Sequence, residues 1–450
     1  MAPSLEEIDL RSLLHPWTSI SEHAKVGPLV MHEGHGARLR DTQGREYIDG
    51  LAGLWCVDIG YGRSEVADAL AQQSRQLPYY HSFSSMTNQP SIELADRLQQ
   101  LAPWPIARVF FGLSGSDAND TQFKLAWLYH KLRGAPAKRK IISHERGYHG
   151  VTIAAASATG LPSAHAAFGL PLDGFLHVRP PYPYREMKAG QSEEAFVAEL
   201  ADELDAAIVR EGPETVAAFI AEPVMGAGGV IVPPEGYFPA IKAVLEQHDV
   251  LMIADEVICG FGRLGRPFGS QAVGIEPDLV TLAKGLTSGY APLSACLLTQ
   301  RVWEVLEREA ETLGVFGHGF TYSGHPLCAA AGLANLDLMK NEALFERAAK
   351  LGVHLQARLN ELFADHPHVG DVRGMGLIGA IEMVRDRDTK EAFAADEKLG
   401  PRVFRRLLER GVIIRAIGDC LAFCPPYVIE VEDLDTVLER TREVLDELTP

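Results

Sequence analysis

Val250-Leu-Met-Ile-Ala-Asp-Glu256 and Asp278-Leu-Val-Thr-Leu-Ala-Lys-Gly285 are the two stretches on which the fold turns. Each is a short apolar run that reads as a strand buried on both faces, and each ends in charge. The first runs into Asp255 and Glu256, the second into Lys284. Burying an ammonium costs free energy unless its pKa falls or a partner meets it. A desolvated lysine is an imine-forming nucleophile. A carboxylate close by can hold a cationic pyridinium nitrogen, so the pair points to pyridoxal phosphate chemistry. From position alone, an ordinary salt-bridged lysine at a strand end is an equal reading.

Working outward, the same alternation extends over the middle of the chain. Strands are expected at 108–111, 140–143 and 216–221, and helices at 118–131, 193–210 and 239–247. Alternating strands and helices predict an α/β fold with a mainly parallel central sheet covered on both faces. In such sheets ligands sit beyond the carboxyl ends of the strands. Glu222, Asp255 and Lys284 all fall there. Before this region, 37–49 reads as a hairpin turning at 41–44, and 64–76 and 90–101 have helical periodicity. After Gly324 long helices are expected at 329–340 and 344–363, then a strand at 369–383, a helix at 397–410, a strand at 412–415 and a closing helix at 434–448. The expected division is residues 1–60 as the first part of a small α+β domain, 61–325 as the large domain, and 326–450 completing the small one.

Composition narrows the function. The chain has 450 residues, 46% of them hydrophobic, which suits two globular domains. A net charge of −18 argues against nucleic acid or an anionic membrane as partner. The six cysteines, Cys56, Cys259, Cys296, Cys328, Cys420 and Cys424, contain no C-x-x-C pair, so neither a zinc site nor a disulfide framework is expected. The start shows no basic region followed by an apolar stretch, and no run approaches membrane-span length. A cytoplasmic location is the expectation.

Other segments carry chemistry only in company. Ser114-Gly-Ser-Asp-Ala-Asn119 lies between a strand and a helix, where small residues leave backbone N–H groups free for a phosphate. By itself a plain helix cap by Ser116 or Asp117 explains it better. Tyr148, in Gly147-Tyr-His-Gly150, is placed to stack on a flat heterocycle, although an aromatic there is more often packing. Gly260-Phe-Gly-Arg-Leu-Gly265 matches the dinucleotide fingerprint G-x-G-x-x-G. That fingerprint should open a helix, yet Pro267 and Gly269 follow at once, so a nicotinamide-dependent oxidoreductase is a minor alternative. His144, His149, His318 and His325 show no metal-ligand spacing and are read as structural or hydrogen-bonding.

Taken together these stretches, with Ala221-Glu-Pro-Val224 and Gly319-Phe-Thr-Tyr-Ser-Gly-His-Pro326, resemble class III aminotransferases of the ω-transaminase type, in order and over nearly the whole chain. The resemblance implies a fold-type I pyridoxal phosphate enzyme working as a homodimer, or a dimer of dimers, with shared active sites. Lys284 would carry the cofactor and shuttle protons, and Asp255 would pair with the pyridinium nitrogen. Val257 and Tyr148 would cover the two ring faces. Ser114, Gly115 and Ser116 would bind the phosphate, with Thr321 reaching in from the partner subunit, and Glu222 would stand near the cofactor. Arg415 would bind the acceptor carboxylate and swing away for amine donors, with Trp55, Phe83 and Tyr148 shaping an apolar pocket beside it. Without the resemblance, Arg415 is a solvated edge arginine and Trp55 and Phe83 are packing.

Two departures from the family pattern bear on the substrate. Met225 stands where many relatives have glutamine. Ala227 stands where γ-aminobutyrate-type relatives have the glutamate that neutralises the substrate-binding arginine. Asp117 for a more usual glutamate is a mild change. The expected reaction is transfer of an amino group from a primary amine, diamine or ω-amino acid to pyruvate by a ping-pong mechanism. Transfer from γ-aminobutyrate or another ω-amino acid to 2-oxoglutarate is the alternative within the family. A pyridoxal phosphate racemase or decarboxylase, and a non-catalytic cofactor-binding protein, are more distant ones.

Overall fold

The computed structural model describes residues 3–448. At its centre is a seven-stranded sheet in the order Ile106–Gly112, Ser294–Thr299, Leu279–Leu282, Leu251–Asp255, Val216–Ala221, Lys140–His144, Phe175–Val178. Pairing is parallel from 279–282 across to 175–178. Only Ser294–Thr299 runs against its two neighbours. The expected mainly parallel sheet is therefore present, with two strands, 175–178 and 294–299, that the sequence reading passed over.

Burial explains why these strands read as continuous apolar runs. Side chains alternate between two cores because strand periodicity is two. Ile141, Ile220 and Ile253 pack with Phe123 and Ala126 of the helix Gly115–Leu132. Their neighbours Ile142, Phe219 and Met252 pack on the other face with Leu200 and Leu204 of Glu193–Glu211 and Ile241 of Tyr237–Gln247. The sheet is thus covered on both sides, and its chemistry is confined to the strand ends.

Two smaller sheets lie outside it. Met31–His35, Arg38–Asp41 and Glu46–Asp49 form an antiparallel meander, extended by Val412–Ile413 in parallel register, with Val412 opposite Ile48. The hairpin at 37–49 is as expected. The second sheet has the order Val369–Met375, Ile378–Met383, Cys420–Phe423, Arg415–Ile417. Here two sequence expectations need correcting. The stretch 369–383 is a hairpin, because Gly376, with φ 57°, makes the turn. The stretch 412–415 is split at Ile414, its first half joining the N-terminal sheet and Arg415 beginning a strand of the other. Helices Ser64–Gln76 and Leu344–Phe363 have the expected bounds, and most others differ by one to three residues. Among the described residues no helix is long and apolar enough to cross a membrane.

Candidate active site

The parallel strands deliver their charges to one edge. Asp255 closes its strand, Glu222 follows the strand 216–221, and Lys284 stands two residues beyond 279–282 in a left-handed turn with φ 41°. Asp255 is buried and its carboxylate is clamped. Oδ2 accepts from Asn119 Nδ2 at 2.8 Å and lies 2.9 Å from His149 Nδ1, while Oδ1 accepts from the Val257 N–H at 3.1 Å. Asn119 in turn donates to the His149 carbonyl at 2.7 Å. One carboxylate is thereby fixed in direction by two side chains and a backbone amide.

Lys284 is placed differently. Burial pushes its pKa below the ordinary lysine value, and Asp255, Cys56, Glu222 and Cys424 oppose that shift through their charge. The ammonium has no hydrogen bond or ion pair among the described residues. Burial lifts the Glu222 carboxyl to about 7, with Asp255 adding to the rise and His149 opposing it. Its two oxygens accept from the N–H groups of Tyr148 and Gly226, each at 3.0 Å. Glu222 thus ties the Tyr148 loop to the turn after its own strand.

The helix at 115–132 aims its N-terminus at the same place. Its cap is Ser114, whose hydroxyl accepts from the Asp117 N–H, while Asp117 returns a bond to the Ser114 N–H. The cap is therefore neither Ser116 nor Asp117, and the helix begins three residues earlier than its periodicity suggested. Ser114 keeps its hydroxyl busy in this box, whereas the N–H groups of Gly115 and Ser116 have no partner among the described residues, as the first turn of a helix leaves them. Close approach explains the glycines here. A Cβ on Gly115 would meet Val257 at 3.0 Å, and one on Gly150, with φ 135°, would meet Ser116 Oγ at 2.5 Å. The Ser116 hydroxyl accepts from the Val151 N–H at 3.0 Å, which draws the Tyr148 loop over the helix end.

The remaining residues divide into those that join this cluster and those that stand apart. Arg415 is exposed, has no carboxylate within ion-pairing distance among the described residues, and acts electrostatically on Tyr148. Trp55 is only 5% exposed and packs with Leu51, Val224 and Ile258, so most of its ring is core. Phe83 does not meet Trp55. It is exposed and its ring lies against Gly319. Thr321 is on that same surface, its carbonyl accepting from Tyr79 at 2.7 Å. The glycine motif at 260–265 is a packed coil that buries Arg263 and leads to no dinucleotide-type helix. His144 and His149 are hydrogen-bonded, His318 contacts Thr121 and Lys124, and His325 caps Pro326–Asn341.

Asn119 and His149 were not singled out as functional from sequence. The available signal for Asn119 was a polar residue on the apolar face of a helix, which must find a partner when buried. His149 had no local signal, because its partner is over a hundred residues away.

An unpartnered buried lysine, a clamped carboxylate and a bare helix N-terminus at the carboxyl edge of a parallel sheet define the class as a pyridoxal phosphate enzyme. The observations fit that cofactor, since an unpaired amine, a carboxylate fixed in direction and free N–H groups for a phosphate stand together. Comparison with known proteins then identifies the family. The model for aminotransferase class-III matches residues 20–445. Diaminobutyrate–2-oxoglutarate transaminase of Halomonas elongata is 46% identical over 447 residues, covering 98% of this chain and 95% of that protein. Putrescine–pyruvate aminotransferase of Pseudomonas aeruginosa is 41% identical over 435 residues, covering 96% and 94%. The ω-transaminase of Pseudomonas jessenii, solved in complex with PMP, superposes with a TM-score of 0.97 at 48% identity, covering 99% of this chain and 98% of that one. The chain belongs to the class III aminotransferases, pyridoxal phosphate enzymes of fold type I.

Proposed function

We propose that this aminotransferase moves the amino group of a primary amine, diamine or ω-amino acid to pyruvate, in two half-reactions at one site. The observation that carries this reading is Arg415, a guanidinium that acts electrostatically on Tyr148 and has no carboxylate among the described residues to hold it. It is available to take a keto-acid carboxylate in a bidentate pair. Ala227, in the tight turn between the paired residues Met225 and Ile231, offers no charge to occupy it.

The proposed roles follow from the geometry. Bound pyridoxal phosphate supplies an electron sink that acidifies the donor carbon. Asp255, held by Asn119 and His149, would pair with the pyridinium nitrogen. Lys284 is biased toward the neutral amine by burial, so it could take the proton from the donor carbon and pass it on to the cofactor. Val257 and Tyr148 would cover the two ring faces, and Glu222 holds the Tyr148 backbone in place. The N–H groups of Gly115 and Ser116 receive the phosphate, with Ser114 fixing the helix start and the partner subunit's Thr321 completing the site. Because Phe83 shares the surface of the Thr321 loop, it accompanies that loop across a homodimer interface. Phe83, Trp55 and Tyr148 would together shape the apolar substrate pocket. Residues 61–325 form the cofactor-binding domain, and 1–60 with 326–450 the small one. Residues 1, 2, 449 and 450 of that division lie outside the described residues. Six free cysteines, five of them buried, suit a reducing cytoplasm.

A second acceptor, 2-oxoglutarate, is favoured by the 46% identity to the Halomonas elongata enzyme. The test is one amine donor, putrescine, with each keto acid in turn. Alanine formation much faster than glutamate formation is expected, and the reverse order overturns the pyruvate assignment. Arg415→Ala should lower kcat/KM for pyruvate by roughly 10- to 100-fold, the range of one charge-assisted pair. The half-reaction with putrescine should be nearly unchanged, and equal loss in both half-reactions would remove the carboxylate-binding role.

A further inference from the structure

Far from the Lys284 cluster along the chain, three side chains with metal-binding atoms stand together. Asp9 lies in the helix Leu5–Ser12, whose start is secured by a Ser4–Glu7 capping box. His23 lies in the helix Ile20–Val26, capped by Ser19. His15 is on the link between them. His15 Nε2 lies 3.0 Å from both Asp9 carboxylate oxygens, and His23 Nε2 lies 3.1 Å from Oδ1. The two rings are 4.2 Å apart between centroids, tilted by 42°. All three ligand atoms lie within 4.8 Å of one another.

Joining two helices needs one such contact, and the second imidazole on the same carboxylate is what calls for explanation. In a tetrahedral site with bonds of about 2.0–2.1 Å the ligand atoms are about 3.4 Å apart. The two His–Asp9 spacings are within a few tenths of an ångström of that value, and rotation of the imidazoles would bring the trio into a three-ligand cradle. The side chains keep some exposure, 28% for His15, 15% for Asp9 and 16% for His23, so an ion and a water ligand can enter. Two imidazoles with one carboxylate suit a borderline d-block ion and not Mg²⁺ or Ca²⁺.

The position of the trio gives it a consequence. Little else holds the link between the two helices: Leu13, Leu14, Trp17 and Ile20 are all exposed. Two residues beyond His15, Trp17 has φ 50° and sets its ring edge-on to Tyr148, 6.3 Å between centroids. We infer that Asp9, His15 and His23 bind one divalent d-block cation of the Zn²⁺ class, and that the bound ion staples the link carrying Trp17 against Tyr148 at the mouth of the Lys284 site. Binding takes up both Nε2 lone pairs, so the proton that each ring shares with Asp9 moves to Nδ1 or to solvent. The cation site stands whether or not pyruvate is the acceptor.

The test uses chelator-treated holoenzyme titrated with Co²⁺. Expected are visible ligand-field bands that saturate at one equivalent per chain, are absent from both Asp9→Asn and His23→Gln, and resist excess Mg²⁺. Saturating Co²⁺ should also slow tryptic cleavage after Arg11 and Lys25 several-fold in the unmodified chain and leave it unchanged in His23→Gln. No bands, or bands that survive both substitutions, overturn the site. Bands without slower cleavage overturn the staple.

Discussion

Lys284 and Arg263 are both cations buried in one neighbourhood, and the fold treats them in opposite ways. Arg263 donates to Asp58 Oδ1 at 2.5 Å and to the carbonyls of Leu377 at 3.0 Å and Pro425 at 2.7 Å. Its guanidinium also lies over the Tyr427 ring at 4.6 Å. Burial works against its charge, but Cys424, Tyr427 and Asp58 outweigh that and hold its pKa above the ordinary arginine value. Lys284 has no such partner and its pKa falls. The nearest explanation is Asp58 itself. A Cβ on Gly285 would stand 2.5 Å from its carboxylate, so the acid lies directly beneath the residue after Lys284. Asp58 is committed to Arg263, and Lys284 is left with charge at a distance. Burial alone does not mark a catalytic cation; burial without a partner does.

Substitution should separate the two. Lys284→Ala is expected to remove alanine formation from putrescine and pyruvate by more than about 10³-fold, since acid–base catalysis alone contributes roughly 10²–10⁴. The same variant, stripped of cofactor, should resist denaturant as well as the parent, because it loses an unsatisfied charge. A rate within tenfold of the parent would end the distinction. Arg263→Met should do the reverse to stability. It strands Asp58 in the core at a cost of about 3–5 kcal/mol in denaturant unfolding. A loss under about 1 kcal/mol would show that the pair is not what anchors the coil at 260–265.

The smallest expected effect concerns Glu222, which faces Lys284 without pairing to it. Its carboxyl sits at about 7 in the folded chain, against roughly 4.3 in an unfolded one. Between those values the folded state holds a proton that the unfolded state has lost. Stability should therefore fall as pH rises from about 4.3 through about 7, and level off above. Glu222→Gln should flatten that part of a Tm-against-pH curve. An unchanged slope would assign the pH dependence to other buried acids, Glu256 and Glu382 among them, which burial also lifts to about 7.

Much of the fold was legible because its strongest signals are local. The strand at 216–221 and the helices at 64–76 and 344–363 end where periodicity and composition say they should. Phe175–Val178 was missed because four residues carry too little pattern. Ser294–Thr299 lies outside the strand-helix alternation that guided the reading. The runs 369–383 and 412–415 were each read as one strand because no proline or long polar stretch interrupts them. Gly376 turns the first back on itself, and the pairing partners Ile48 and Ala422 divide the second. Phe83 and Trp55 looked alike as aromatic residues, yet one is exposed beside Gly319 and the other is packed in the core.

By itself the sequence determined the parallel α/β core, the placing of Asp255, Glu222 and Lys284 at strand ends, and the family resemblance that made Lys284 a cofactor lysine. These follow from runs of adjacent residues, where side-chain periodicity and burial are written directly. Tertiary structure alone decided that Asn119 and His149 clamp Asp255, that Asp58 goes to Arg263 and leaves Lys284 unpaired, and that Trp17 reaches Tyr148. Each is a contact between segments more than a hundred residues apart. Hydrogen-bond geometry and desolvation act only once the chain has brought such groups within a few ångströms.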